Sequence, residues 1–572
     1  MWRILIFSVL TALVCQSKGH SVSQTESEGA SPPNIVFILA DDLGWNDVSY
    51  HGSRVKTPNI DSLSKTGVRL ENYYVQQVCT PSRAALMSGR YPIHTGLQHE
   101  VIYAGQRSGL PLGVKTLANQ LKERGYDTHG VGKWHLGFFE ESYLPTKRGF
   151  DSWTGYMTGN EDYYTHVNCE SLGCGYDFYA NSTLDMSDNT TYSTLRYTRR
   201  AKDIIMGHQT DGPQSKPLFL YLPFQAVHSP LQVPEEYIEP YKRSSLSPQR
   251  QKFAGMASCL DEAIGNITSY LKSKNMWENT ILIFSTDNGG ETNAGGNNWP
   301  LRGKKWTLWE GGVRGVSFIH SPLFNSTTVG TTHRSLMHIS DWYPTILEGI
   351  LSHTLPSNLS LDGVNMWSSL LAGSEGPRTE LLHTIDPLAS HPGVALYNDT
   401  FPTNTTAAIR VGDWKLLTGY PGVDKIFPPV NYYSDYFNYR VSNWHWKTLN
   451  KIARIKGDEA NYFHLMHDNE YHDLQDRHMQ GVLYENDFPE IYQLTASGEV
   501  KNVWLFNITE DPEELIDRSD DFPEIVKQLL DRLAEYNLTA IPPNFPSPDP
   551  RVLPLTTAEP GSPGLTRELS AL

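Results

Sequence analysis

Cysteine is scarce in this chain, with five in 572 residues. That excludes a small disulfide-stapled scaffold and a zinc centre built from cysteine clusters. Positive charge is also short: 47 Lys and Arg stand against 63 Asp and Glu, a formal net charge of −16. No local basic stripe interrupts that acidic field, which argues against a nucleic-acid partner. Long apolar runs are missing too. The run from Ile4 to Val14, behind Arg3 and ahead of the small residues Ser17 and Gly19, is too short for a bilayer and reads as a signal peptide over residues 1–19. No later stretch reaches the roughly 18 to 20 apolar residues of a spanning helix, so no membrane span is expected.

With 39% apolar and 19% charged residues, the chain carries enough to bury a large core and a smaller one. Nine Asn-x-Ser/Thr sequons, at Asn181, Asn189, Asn266, Asn325, Asn358, Asn398, Asn404, Asn507 and Asn537, fit passage through the secretory pathway to a lysosome or the exterior. Cys15 leaves with the signal peptide. Cys169 and Cys174 are close enough, in a loop bounded by Asn168 and Gly175, to form one disulfide in an oxidising compartment. Cys259 sits in a helical pattern, where it reads as a small buried apolar residue. Cys79 fits neither description.

From Asn34 onward, short continuous apolar runs alternate with amphipathic segments, the pattern of an α/β protein whose mostly parallel sheet is covered on both faces. The runs are 34–40, 126–132, 218–224 and 281–286, and helices are expected over 114–124, 247–272 and 341–351. After about residue 377 the texture changes to scattered strands at 407–411, 414–417 and 503–506 and a last helix near 523–536. We therefore expect a main domain over 33–376, a smaller α+β domain over 377–551 and a tail over 552–572. An aromatic-rich insertion at about 421–502 contains His464, His467, His472 and His478, which on so polar a segment read as solvated side chains rather than as a zinc site.

In open α/β sheets the ligand site lies beyond the carboxyl ends of the strands. Here the first run leads into Asp41-Asp42, the second into Lys133-Trp134-His135, the third toward His228 and the fourth into Asp287-Asn288. One polar strand end is an ordinary turn former. Four that together supply carboxylates, an amide, cations and imidazoles make a site. Asp41, Asp42, Asp287 and Asn288 form a hard, all-oxygen donor set that suits calcium or magnesium, calcium being the better match. Lys133, Arg83 and Lys305 around such an ion would form a pocket for an oxyanion.

The sharpest local signal is Cys79-Thr80-Pro81-Ser82-Arg83. A Cys-x-Pro-x-Arg pattern arises by chance in such a chain with odds on the order of one in a hundred. It resembles the signature of the type I sulfatases, whose cysteine is oxidised to formylglycine, and Gly125 to His135 matches a second sulfatase signature. The resemblance runs from Asn34 to about Arg551 and is strongest to the arylsulfatase B type, the N-acetylgalactosamine-4-sulfatases, and their arylsulfatase I and J relatives. Residues 40–47, 227–232, 285–290 and 299–305 carry it.

The resemblance implies an alkaline-phosphatase-like sulfatase fold and hydrolysis of sulfate esters. It implies one calcium ion on Asp41, Asp42, Asp287, Asn288 and the formylglycine at position 79, with Arg83, Lys133, His135, His228 and Lys305 completing the site. In that scheme the hydrated aldehyde is the nucleophile, and Lys133, His228 and Lys305 also bind substrate. A formylglycine-generating enzyme would be a partner during maturation. The implied substrate is an N-acetylgalactosamine 4-sulfate unit of a glycosaminoglycan, with small aryl or plant-derived sulfate esters as the alternative. A phosphoesterase of the same superfamily would need a Ser or Thr nucleophile and a His-rich two-metal set, neither of which is evident. A non-catalytic glycan-binding protein on this fold would have lost one of Cys79, Lys133, His135 or His228, and all are present.

Overall fold

In the computed structural model the four apolar runs form neighbouring strands of one ten-stranded sheet. The model describes residues 31–170, 173–212, 215–356, 359–390, 396–422 and 501–549. The expected signal peptide, the histidines of the expected insertion, the sequon at Asn358 and the expected tail lie outside these residues.

The middle of the sheet is parallel and runs, in order, Thr280–Thr286, Asn34–Ala40, Leu218–Pro223, Asp127–Val131 and Ser152–Gly155. On one side follow Ser317–His320 and Val68–Leu70, each antiparallel to its inner neighbour, and then Thr331–His333 parallel to Val68–Leu70. On the other side, Tyr179–Ala180 and Thr183–Leu184 close the sheet as antiparallel strands.

Asn34–Ala40, Leu218–Pro223 and Thr280–Thr286 are buried at every position and mostly apolar because both faces are covered. Successive side chains of Asn34–Ala40 point to opposite faces. Val36, Ile38 and Ala40 pack in one core with Leu220, Leu222 and residues of the helices Pro248–Ser273 and Ser193–Gly207. Ile35, Phe37 and Leu39 pack in the other with Phe219, Tyr221 and residues of the helices Cys79–Ser88 and Leu117–Glu123. Each such side chain fully removed from water contributes about 1.5 to 3 kcal/mol, so these two cores set the positions of the strand ends.

Helix starts follow their capping residues. Thr116 Oγ1 accepts from the Asn119 N–H and Ser247 Oγ from the Arg250 N–H. The helix expected over 341–351 is instead a sequence of short pieces: a 3-10 turn at Ile339–Asp341, one α turn at Trp342–Pro344 and a π-helical turn at Thr345–Ile350. Pro344 interrupts the ladder of N–H donors there.

A second, four-stranded antiparallel sheet has the order Glu380–Ser390, Thr405–Val411, Trp414–Thr418, Val503–Asn507, and the helix Pro523–Thr539 packs on it. Its other face, through Leu381, Ala408, Leu417, Trp504 and Phe506, shares a core with Tyr74, Leu308, Trp309 and Val313. Lys415 reaches across to Glu310 at 3.0 Å and lies 2.9 Å from Glu514, all three buried. The second sheet thus buttresses the segment that follows Lys305.

Candidate active site

Because four parallel neighbours end together, the residues just past each strand meet in one place. Sheet-like bonds stitch them there: Asp287 N–H to Ala40 C=O (3.1 Å), Asp41 N–H to Ala226 C=O (3.1 Å) and Lys133 N–H to Pro223 C=O (2.8 Å). Gly132, with φ +132, allows the last of these, since a Cβ there would lie 2.0 Å from Pro223 O.

Asp41, Asp42, Asp287, Asn288, Arg83, Lys133, His135 and Lys305 are all buried, and His228 is nearly so. Lys133 Nζ donates to Asp41 Oδ2 at 2.6 Å. Lys305 Nζ lies 2.8 Å from Asp42 Oδ1 and donates to Oδ2 at 3.0 Å. Arg83 donates from Nε (3.1 Å) and Nη2 (2.8 Å) to Asp287 Oδ2, and from Nη1 to the Lys133 carbonyl at 3.2 Å. Its Nη2 is also 3.4 Å from Asp41 Oδ2. Burial alone would raise the Asp41 carboxyl, but Lys133, His228, Arg83 and Lys305 together hold it well below the usual carboxylate range. Asp287 moves the other way, pushed up by burial and by the charge of Asp41 against the pull of Arg83 and Lys133. Burial opposes the charge on Lys305, and Asp42 with Asp41 more than restores it.

Cys79 opens the helix Cys79–Ser88 and is 2% exposed, its Sγ donating to Asp41 Oδ1 at 3.6 Å. Burial, with Asp41, pushes its thiol up to about 12 against Lys133 and Lys305. His135 Nε2 is 2.9 Å from the Ile102 carbonyl, so it carries the proton, and Nδ1 has no partner among the described residues. Burial keeps this imidazole neutral, well below its ordinary range. His228 Nδ1 donates to the Ser229 carbonyl at 2.7 Å, and its Nε2 lies 3.6 Å from Asp42 Oδ2.

Several residues outside the expected set hold these groups in place. Thr80 Oγ1 donates to the His135 carbonyl (3.3 Å) and accepts from Ile102 N–H (3.1 Å), and Ser82 Oγ accepts from Gln76 N–H (2.8 Å). Tyr163 Oη donates to the His228 carbonyl at 2.8 Å. Thr80 and Ser82 stand inside the cysteine motif, which was the available signal, whereas nothing in the sequence marks Tyr163.

Asp41, Asp42, Cys79 and His228 each bring one donor atom within 4.8 Å of the others. Asp287 joins through Oδ1, which accepts the Asp42 N–H at 3.3 Å, and Asn288 donates its Nδ2 to Asp42 Oδ1 at 2.7 Å. Asn288 Oδ1 is buried without a partner among the described residues. Three buried carboxylates and an orphaned amide oxygen fit a hard divalent cation, which would satisfy all four.

Away from this site, Cys169 and Cys174 pair across the hairpin of Val167–Glu170 and Gly173–Tyr176 and are joined by a disulfide. Cys259 is buried in its helix. Asn181, Asn189, Asn325, Asn398, Asn404 and Asn537 are exposed, and Asn266 and Asn507 are half-buried. Among the described residues no helix is long and apolar enough to cross a membrane.

Comparison with known proteins places this geometry. The sulfatase family model matches residues 33–349. Mouse arylsulfatase J is 45% identical over 531 residues, 92% of this chain and 79% of that one. Human N-acetylgalactosamine-6-sulfatase is 30% identical over 366 residues, 61% of this chain and 67% of its own length. The crystal structure of Ps i-CgsB in complex with k-i-k-neocarrahexaose matches with a TM-score of 0.66 at 25% identity, covering 90% of this chain and 94% of that one. The large mixed sheet, the strand-end cluster and these matches agree: the chain belongs to the sulfatase family and is a sulfuric ester hydrolase.

Proposed function

We propose that this enzyme removes sulfate from a sulfated sugar, N-acetylgalactosamine 4-sulfate in glycosaminoglycans being the first substrate to test. In this reading Cys79 is converted to formylglycine by a generating enzyme during maturation, and one calcium ion is held by Asp41, Asp42, Asp287, Asn288 and the modified residue. The observation that carries it is the placement of Cys79 at the centre of a buried set of carboxylates, cations and imidazoles.

A formylglycine would supply paired hydroxyls, one to attack sulfur and one to expel sulfate, and a calcium ion would supply charge to polarise them. The chain's own residues do the rest. Lys133 Nζ and Lys305 Nζ, each already ion-paired with a carboxylate, bind the sulfuryl oxygens as negative charge builds on them. His228 carries a proton on Nε2 only as the imidazolium, a form that burial and Lys305 oppose and Asp42 and Asp41 favour, and in that form it delivers the Nε2 proton to the leaving alcohol oxygen while Nδ1–H stays on the Ser229 carbonyl. His135 Nδ1 holds the free lone pair that takes a proton when sulfate is released. Arg83 fixes Asp287 and Asp41 and adds positive potential.

Mammalian relatives named for an N-acetylgalactosamine sulfate and a solved neighbour bound to a neocarrahexaose support a sugar substrate. The exposed sequons support a secretory route, lysosomal or extracellular. Mass spectrometry of the tryptic peptide containing position 79, from secreted active enzyme, tests the nucleophile: an aldehyde or its hydrate is expected, and unmodified cysteine in fully active enzyme refutes it. Comparing kcat/KM for an aryl sulfate and the matching phosphate monoester tests the ester class, and comparable values would favour a phosphoesterase.

A further inference from the structure

Trp306 follows Lys305 directly and is 41% exposed, an unusual state for a tryptophan flanked by buried residues. Its backbone has φ +74. A bulky non-glycine residue in that region is an outlier, and such conformations persist where surrounding contacts impose them, most often at ligand clamps and active sites. The contacts here are visible. Trp306 N–H donates to the Gln77 carbonyl (2.8 Å), two residues before Cys79, and Lys305 N–H donates to the Gly290 carbonyl (3.2 Å), just past the Asp287-Asn288 pair. The loop is thus tied to two of the segments that build the site, and its left-handed residue turns an indole outward while Lys305 points inward to Asp42. The indole centroid lies 6.0 Å from Lys305 Nζ, the ammonium assigned above to the sulfuryl oxygens.

The loop that carries Tyr103 also borders the site, since the carbonyl of Ile102 before it meets His135 Nε2 at 2.9 Å. Tyr103 Oη donates to Glu100 Oε2 at 3.2 Å. The Glu100 side chain is 42% exposed and ionised carboxylates only accept hydrogen bonds. An exposed indole face next to the ammonium that meets the sulfate suits a sugar ring, whose C–H bonds can lie on it.

We propose that Trp306 is a substrate-binding residue, an indole platform on which the pyranose carrying the sulfate stacks while Lys305 takes the sulfate itself. This rests on the sulfatase reading of the site and adds to it the recognition of the leaving sugar.

The test uses full-length, secreted enzyme with Trp306→Gly, Trp306→Ala and Trp306→Phe. Glycine adopts φ +74 without strain, so Trp306→Gly keeps the loop and deletes only the ring. With N-acetylgalactosamine 4-sulfate as substrate, KM should rise roughly tenfold in the glycine and alanine variants and recover in part in Trp306→Phe, as loss and partial return of one stacked aromatic contact requires. The inhibition constant of inorganic sulfate, which occupies only the anion pocket, should not move. An unchanged KM for the sugar overturns the platform. So does an equal rise in KM and in the sulfate inhibition constant, which would mean that Trp306 acts by holding Lys305. A larger KM effect on a small aryl sulfate than on the sugar also overturns it in favour of an aryl site. Wild-type enzyme that hydrolyses no sulfate ester would refute the sulfatase reading itself, a result distinct from all of these.

Discussion

Replacing Arg83 by methionine keeps most of the side-chain volume and removes the charge at the centre of the cluster. The wild-type guanidinium and the carboxylates it meets, Asp287 and Asp41, are all 0% exposed. Removing one partner of a buried pair leaves an uncompensated charge and costs about 3 to 5 kcal/mol, more than the net worth of the pair itself. An unfolding entropy of about 2 cal/mol/K per residue makes this a fall of about 3 to 4 °C in Tm for a chain of this size. Arg83→Lys keeps the charge but loses the fork that serves Asp287 and the Lys133 carbonyl, so it should cost about half as much. The decisive variant is the double one. Asp287→Asn removes the charge that Arg83 neutralises, so Arg83→Met with Asp287→Asn should be more stable than Arg83→Met alone, by about 1 to 3 kcal/mol. Scanning calorimetry at one fixed pH in excess chelator, so that metal binding does not mask the electrostatics, measures all four proteins. A methionine variant within about 1 kcal/mol of wild type, or a double variant that loses further stability, would show that the Arg83–Asp287 pair does not hold the site together as argued.

Asp41→Ala removes a carboxylate from a small oxygen site and should leave purified protein with little bound divalent cation by elemental analysis, along with loss of turnover; full occupancy with near-normal rate would reject the ligand assignment. Gly132→Ala should be strongly destabilising, by about 3 kcal/mol or more, because its Cβ would collide with Pro223 O at 2.0 Å and φ +132 is strained for alanine; a thermal shift within a degree of wild type would contradict the register of those strands. Burial lowers the His333 imidazole to about 4, so the folded protein binds its proton less readily than the unfolded chain does. Its contribution is complete above about pH 6.5 and is lost as pH falls toward 4, at up to about 1.4 kcal/mol per pH unit. His333→Gln should therefore flatten the acid limb of a stability-versus-pH curve, and an unchanged slope there would rule the effect out.

The parallel core of the fold was legible in the sequence because strands covered on both faces are mostly apolar, and 35–40 and 281–284 are unbroken apolar runs. The short flanking strands were not. Val68–Leu70, Tyr179–Ala180 and Thr183–Leu184 span two or three residues, too few for any period to register. Glu380–Ser390 is long, but register shifts between Leu382 and Thr384 and between Asp386 and Ser390 break its alternation, and Pro387 disguises it further. At the site, the strand-end rule found the residues that meet, since chemistry-bearing side chains past parallel strands converge whatever their separation in the chain. It could not find Tyr163, which acts through a backbone carbonyl, nor the outward turn of Trp306, which depends on a φ value that no residue type announces.

The strand order also sets a timetable. The chain makes Asn34–Ala40 first and Thr280–Thr286 last among the four strands that frame the site, yet these two are neighbours in the sheet. Cys79 is finished roughly two hundred residues before Asp287, and at about 5 to 20 residues per second of synthesis that is an interval of roughly ten to forty seconds. During it the motif at 79–83 exists without the strand end that supplies Arg83 with its main partner. Once Thr280–Thr286 has inserted beside Asn34–Ala40, position 79 is 2% exposed and closed to a macromolecule. Any enzyme that acts on Cys79 must therefore meet a chain in which that strand is not yet in place, either still being synthesised or not yet folded.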